Sequence, residues 1–218
     1  MVKILSDIQY SGSRGNITFG HNKGGQYMRS RAIPVNPNSA RQQATRNILG
    51  TYAAGWNALS DAQRALWRSY AAEIPVPDAL GQMMFLSGIN WYIKCNSILG
   101  DAGLTPIDYP PIGSVPAGFA TFAVTWTDED TVSVAFTPVL PSGFAIQLWQ
   151  TIPGSAGKMP NFNQARLVGY SSADEVTPWS TDVPYPGQTG NSARFFGAVV
   201  SDEGLISTKS VSTAVIPA

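Results

Sequence analysis

Trp56-Asn57-Ala58-Leu59-Ser60-Asp61-Ala62-Gln63-Arg64-Ala65-Leu66-Trp67-Arg68-Ser69-Tyr70 decides how the front of the chain folds. Ser60-x-x-Gln63 is a capping box, where hydroxyl and amide each satisfy a backbone N–H that a helix start leaves open. Upstream, Ala44, Ile48, Tyr52, Trp56 and Leu59 recur at three- and four-residue steps, so a first helix with one apolar face ends at Leu59. Ser39-x-x-Gln42 supplies the matching box at its start. Downstream, Leu66, Trp67, Tyr70, Ala71 and Ile74 give the second helix its apolar face, and Pro75 with Pro77 stops it. So short a connection predicts a helical hairpin. Trp56 and Trp67 then meet near its turn, as a mini-core or as the walls of a ligand cage.

Two features of the first helix carry a cost. Gly50 and Gly55 each destabilise it by about 1 kcal/mol relative to alanine, so they either admit a close neighbour or mark a weak helix. Arg41 and Arg46 lie near its positive end, where the helix dipole opposes them. Both arginines are therefore expected to pair with something outside the helix.

Beyond the prolines, the spacing predicts a third helix over 78–99 with Gly100 as its C-terminal cap. Ser87, Asn90, Lys94 and Ser97 form a narrow polar stripe, while Leu80, Met83, Met84, Phe85, Leu86, Ile89, Trp91, Tyr92, Ile93, Cys95, Ile98 and Leu99 are apolar. Such a helix needs cover from several sides, either another subunit or a local three-helix bundle. Ahead of the helices, residues 1–38 read as an extended basic arm. It bears a small hairpin, with strand-like pieces at 17–19 and 26–28 and turn chemistry in His21-Asn22-Lys23-Gly24-Gly25.

After Gly100 the period changes. Residues 101–117 are rich in Pro and Gly and read as a stiff linker. Six segments then alternate or are β-branched and aromatic, at 119–126, 131–137, 144–150, 165–170, 193–200 and 210–216, with turn signals between them. Over 118–218 this predicts a β-sandwich. The expected architecture is α+β in two domains: arm 1–38 and helical anchor 39–100, then linker 101–117 and sandwich 118–218.

The charge of zero hides a split. Ten lysines and arginines stand against six acids up to Pro110, and four against eight beyond it. A basic front half suits nucleic acid or an acidic protein surface. Charged residues make up only 13% of the chain, where about 25% is ordinary. Either the surface is covered by something else, or the fold is β-rich with Ser, Thr and Gly on its faces.

Reactive chemistry is sparse. Cys95 is the lone cysteine, which excludes an intramolecular disulfide and a multi-cysteine zinc site; it reads as a small buried hydrophobe. His21, the lone histidine, sits in a glycine-rich turn, and no Gly-x-Ser-x-Gly elbow or phosphate-binding Gly-x-x-x-x-Gly-Lys-Ser/Thr occurs. Asp128-Glu129-Asp130 lacks the further spaced oxygens of a calcium loop and reads as a solvated turn. No catalytic, cofactor-binding or metal-binding residue is assigned. The opening residues carry no signal peptide, and no stretch is long and apolar enough to span a membrane.

Two resemblances add to this reading. Phe196-x-Ala198-Val199-Val200-Ser201-Asp202-Glu203-Gly204-x-x-Ser207-x-x-Ser210 resembles the last hairpin of a fibronectin type III domain. Thr131-Val-Ser-Val-Ala-Phe136-Thr-Pro resembles that family's second strand, with Phe136 in place of its core tryptophan. An immunoglobulin-like sandwich remains open. Gly24-Gly-x-Tyr27-x-Arg29, Asn36-Pro-x-Ser39-x-x-Gln42-x-x-x-Arg46 and the 56–70 spacing resemble small uncharacterised proteins of tailed bacteriophages and prophages, which implies a virion context.

The expectation is therefore a noncatalytic virion protein made in a host cytoplasm, with no cofactor, metal or membrane. Capsid decoration comes first, with a tail or neck position as the alternative. Arg14, Arg29, Arg31, Arg41 and Arg46 are expected to pair with acidic neighbours, while Trp56, Trp67, Met84, Phe85 and Trp91 bury apolar surface against other virion proteins or further copies of the chain. Nucleic acid contact through the basic arm and host-glycan adhesion through Trp149 and Trp179 are the competing readings.

Overall fold

The computed structural model describes every residue except 1, 5–9, 33–34, 79–80, 156, 158–159 and 217–218, and describes only the backbone of 2–4 and 41. It is a mixed helix-and-sheet chain with three α-helices among the described residues and several antiparallel sheets. Two compact units divide it, Met1–Ile93 and Lys94–Ala218.

The first unit opens with β1 (Val2–Ile4), β2 (Gly12–Arg14), β3 (Ile17–Asn22) and β4 (Gly25–Ser30), an antiparallel sheet in the order β1-β4-β3-β2. The expected hairpin is its centre. Asn22 pairs with Gly25 across a two-residue turn, and the Asn22 side chain accepts from the Gly24 N–H. Two further strands extend it beyond the sequence reading. Gly20 faces Tyr27, whose ring would lie 2.6 Å from a Cβ at that position.

Both helices of the hairpin form where their caps predict. α1 (Ala40–Ala58) starts at Ser39 and α2 (Asp61–Glu73) at Ser60. The second box is complete: Ser60 Oγ accepts from Gln63 N–H, and Gln63 Oε1 accepts from Ser60 N–H. The first is half made, since Ser39 Oγ accepts from Gln42 N–H at 3.4 Å while Gln42 Oε1 is buried with no partner among the described residues.

The third helix is shorter than its apolar run suggests. β5 (Pro75–Pro77) and β6 (Met83–Phe85) pair first, and α3 covers Gly88–Asp101. A turn breaks the expected helix. The Asp78 N–H donates to the Gln82 carbonyl at 2.8 Å, the Asp78 carbonyl accepts from the Gly81 N–H at 3.0 Å and its carboxylate from the Gln82 N–H at 2.9 Å, and Gly81 has φ +77°. Leu80 lies outside the described residues. Ser87 caps the helix that does form, accepting from Asn90 N–H.

Rings and glycines hold α1, α2 and the start of α3 together. Tyr92 lies 5.7 Å from Trp56 and 5.5 Å from Trp67, and Tyr70 lies 5.3 Å from Trp91, ring centre to ring centre. Each such pair adds about 0.5–1.5 kcal/mol beyond its buried area. Gly55 leaves room for the Tyr92 hydroxyl, 2.8 Å from where a Cβ would stand. At Gly88 a Cβ would come within 3.0 Å of the Trp67 and Arg68 backbone, so α2 and α3 touch main chain to main chain.

The second unit contains α3 from Lys94 onward, the 101–117 segment and eight strands. These are β7 (Thr121–Trp126), β8 (Thr131–Thr137), β9 (Ala145–Thr151), β10 (Gly154–Ser155), β11 (Ala165–Tyr170), β12 (Trp179–Asp182), β13 (Asn191–Val200) and β14 (Ser210–Val215). One sheet runs β12-β8-β7. The other runs β10-β13-β9-β11, with β14 on the far side of β13. Val132, Val134 and Phe136 alternate inward from β8 and meet Ile146, Leu148 and Phe195 of the facing sheet in one core. That is the period-two pattern of a strand with one buried face.

The five-stranded sheet is covered on its other face as well, since Ala198 and Val200 are also fully buried. Cys95, Asn96 and Leu99 of α3 are buried in the same unit, and a Cβ at Gly204 would come 2.5 Å from the Cys95 carbonyl oxygen. The helix end thus lies against the β13–β14 turn. Asn96 holds Ile107 at both its N–H (2.7 Å) and its carbonyl (3.0 Å). Glu203 accepts from the N–H groups of Ile112 and Gly113 at 3.0 and 2.9 Å.

Candidate docking surfaces

The first unit carries an open cleft of about 580 Å³. Trp56 of α1, Ala71 of α2, Phe85 of β6 and Ile89 of α3 give it apolar walls, and Lys23 and Arg68 supply two cations. The local fold explains the hollow. The Gly88 crossing draws α3 onto α2, while Phe85, held opposite Pro75 in the β5–β6 pair, stays exposed. Neither Lys23 nor Arg68 has a hydrogen-bond or ionic partner among the described residues, in contrast to Arg64, which is tied to Asp61 at 2.9 Å. An apolar floor with unpaired cations suits an apolar group flanked by carboxylates.

The interface residues expected from sequence divide between inside and outside. Trp56, Trp67 and Trp91 bury their rings within the unit, against Tyr70 and Tyr92, so their apolar surface is spent on its own core. Trp56 still contributes to the cleft wall. Met84 is half-buried and Phe85 exposed. Arg14, Arg29 and Arg31 are exposed with no side-chain partner among the described residues. Arg46 donates to Asn36 Oδ1 at 3.0 Å, an uncharged partner in its own chain. The side chain of Arg41 lies outside the described residues.

The two tryptophans considered for glycan contact sit on different sheets. Trp179 belongs to the sandwich core at 8% exposure and offers no free ring face. Trp149 is half-buried, with Phe162 set edge-on at 5.2 Å; Phe162 in turn meets Phe196 at 5.2 Å and carries Lys209 4.4 Å from its centre. This is a packed ladder of rings and cations, without the flat, open platform that sugar stacking needs.

The acidic turn is self-satisfied in part. Asp128 Oδ1 accepts from the N–H groups of Asp130 and Thr131 at 2.9 and 2.8 Å. These bonds, the Asp130 N–H first, hold its carboxyl below the usual range. Among the described residues, no group of three or more His, Cys, Asp or Glu side chains stands where it could hold a metal ion, and no helix is long and apolar enough to cross a membrane.

A second surface escaped the sequence reading. Tyr109, Ile112 and Val115 stand out of the 101–117 segment at 60%, 94% and 60% exposure. They stand three residues apart between prolines, in a stretch with no helix or strand of its own that bends at Tyr109 and again at Gly113. Three apolar residues so placed were the available signal. Composition alone marked the segment only as a spacer.

No family model matches the chain, and no curated protein does. Among solved structures, one match is described as "Crystal Structure of FN3tt": 48% of this chain aligns with 98% of that one at 10% identity and a TM-score of 0.34, a likeness too loose to carry an argument.

Proposed function

We propose that the chain is a noncatalytic structural protein of a bacteriophage virion, built as two domains: a helical anchor with a basic sheet in front, and a fibronectin type III-like sandwich behind. The observation that carries the reading is the exposed surface of the first unit. Phe85, Met83, Leu66 and Leu49 are exposed there, and Lys23, Arg14, Arg29, Arg31 and Arg68 have no side-chain partner among the described residues. Exposed apolar groups among unpaired arginines are the composition of a docking face. The sandwich reading is supported by a three-stranded and a five-stranded antiparallel sheet that share one core. The virion context rests on the sequence resemblance of the front half. Capsid decoration is the favoured position, with the sandwich turned outward; a tail or neck site is the alternative.

The test is a density map, with peptide mass spectrometry, of particles purified from a lysed culture of the source. Expected is a fixed copy number at symmetric sites, contacted through residues 1–93. Recovery of the protein only in the particle-free supernatant would sink the reading.

A further inference from the structure

Two exposed apolar features carry charges of opposite sign. One is concave, the cleft between Trp56 and Phe85, with Lys23 and Arg68 among its lining residues. The other is the run of exposed side chains at Tyr109, Ile112 and Val115, the ridge, with Glu203 beside it, since Glu203 holds the backbone of Ile112 and Gly113. The bulk charges follow the same sense. Residues 1–93 contain nine lysines and arginines against four acids, and residues 94–218 five against ten, so the units carry +5 and −5. The cleft volume of about 580 Å³ falls in the range that takes a small ligand or a few side chains.

We propose that the Tyr109-x-x-Ile112-x-x-Val115 ridge of one copy docks in the Trp56–Phe85 cleft of a second copy, with Lys23 and Arg68 meeting Glu203. Ile112, the most exposed of the three apolar side chains, enters the cleft, and Tyr109 and Val115 close over its edges. The contact is heterologous, because cleft and ridge are different surfaces. Each copy therefore offers one of each, and the assembly grows head to tail into a ring or a filament. This deepens the assembly reading by naming a self-contact, yet its test needs no particle.

Sedimentation velocity of the purified full chain, over a range of concentration and at low and high salt, provides that test. Wild type is expected to form concentration-dependent species larger than a dimer, weakened by salt. Ile112→Asp alone, and Lys23→Glu with Arg68→Glu, are each expected to be monomeric. Mixed together, these two variants retain one good cleft and one good ridge between them, so they are expected to form a 1:1 heterodimer that grows no further. Near-UV circular dichroism confirms that each variant is folded, and Val115→Asp replaces Ile112→Asp if that variant is not. A monomeric wild type, association independent of concentration, an Ile112→Asp protein that associates like wild type, or a mixture that forms no heterodimer each overturns the proposal. Self-association without recovery in particles would overturn the virion reading alone; recovery in particles of a chain that stays monomeric would overturn this one alone.

Discussion

At Gly88 the packing of two helices depends on one missing methyl group. A Cβ there would meet the Trp67 and Arg68 main chain at 3.0 Å, and backbone cannot swing aside as a side chain can. Gly88→Ala is expected to cost about 1–3 kcal/mol, the usual penalty of overpacking, and urea denaturation followed by tryptophan emission measures it. Cys95 is governed by burial. Loss of water pushes its thiol from 9.0 up to about 12, with Glu203 adding to the rise and Lys94 opposing it. An unfolded thiol ionises near 9, so this group's contribution is fully present below pH 9 and is lost as pH climbs toward 12. The urea midpoint of wild type is expected to fall across that window more steeply than that of Cys95→Ala. Alkylation of Cys95 is expected to proceed only as fast as the protein opens, which a timed mass-spectrometric assay follows.

At the scale of elements, the two helix caps make an internal comparison. The Ser60 box is closed on both sides, whereas Ser39 holds a single long bond. Ser60→Ala is expected to cost about 1–2 kcal/mol, and Ser39→Ala to fall at the low end of capping effects, near 0.5 kcal/mol. Chemical denaturation of both variants checks the order. These caps are also why α1 and α2 were legible: hydroxyl, amide and proline act locally and mean the same thing in any fold. The β8 strand was legible because its inward Val132, Val134 and Phe136 alternate cleanly. The run from Met83 to Leu86 was not, since a short apolar stretch reads equally as strand or helix. What decides it is the Asp78–Gln82 bond pattern and the positive φ of Gly81. β12 was missed because Thr177-Pro178 before it and Asp182 within it argue for a loop; its pairing with β8 overrides that local preference. Of the candidate interface, residue types were readable, while their direction was not. Trp67 and Phe85 look alike in a sequence, yet one is fully buried and the other half-exposed.

Over the whole molecule, the two units draw on separate aromatic cores. Trp56, Trp67 and Trp91 serve the first, and Trp126 and Trp179 belong to the core of the second. Under the two-domain proposal, Trp67→Ala removes about 3–5 kcal/mol from the first unit and leaves the sandwich folded. Amide exchange is expected to show lost protection across α1 and α2 with β8, β9 and β13 unchanged; loss of protection in both units together would refute independent folding. Under the assembly proposal the low charge content has a use, since a surface poor in charge desolvates at small cost when copies or partners come together.

The Glu203 clasp has a kinetic consequence. A loop that bore Ile112 freely would have to be ordered at each encounter, which costs about 0.5–1.5 kcal/mol for every side chain immobilised. With Ile112 and Gly113 already fixed by one carboxylate and Ile107 by Asn96, that cost is met once, when the chain folds. The ridge arrives preorganised. Its capture is then limited by diffusion, orientation and the attraction of opposite fields, with no waiting step for a conformational search.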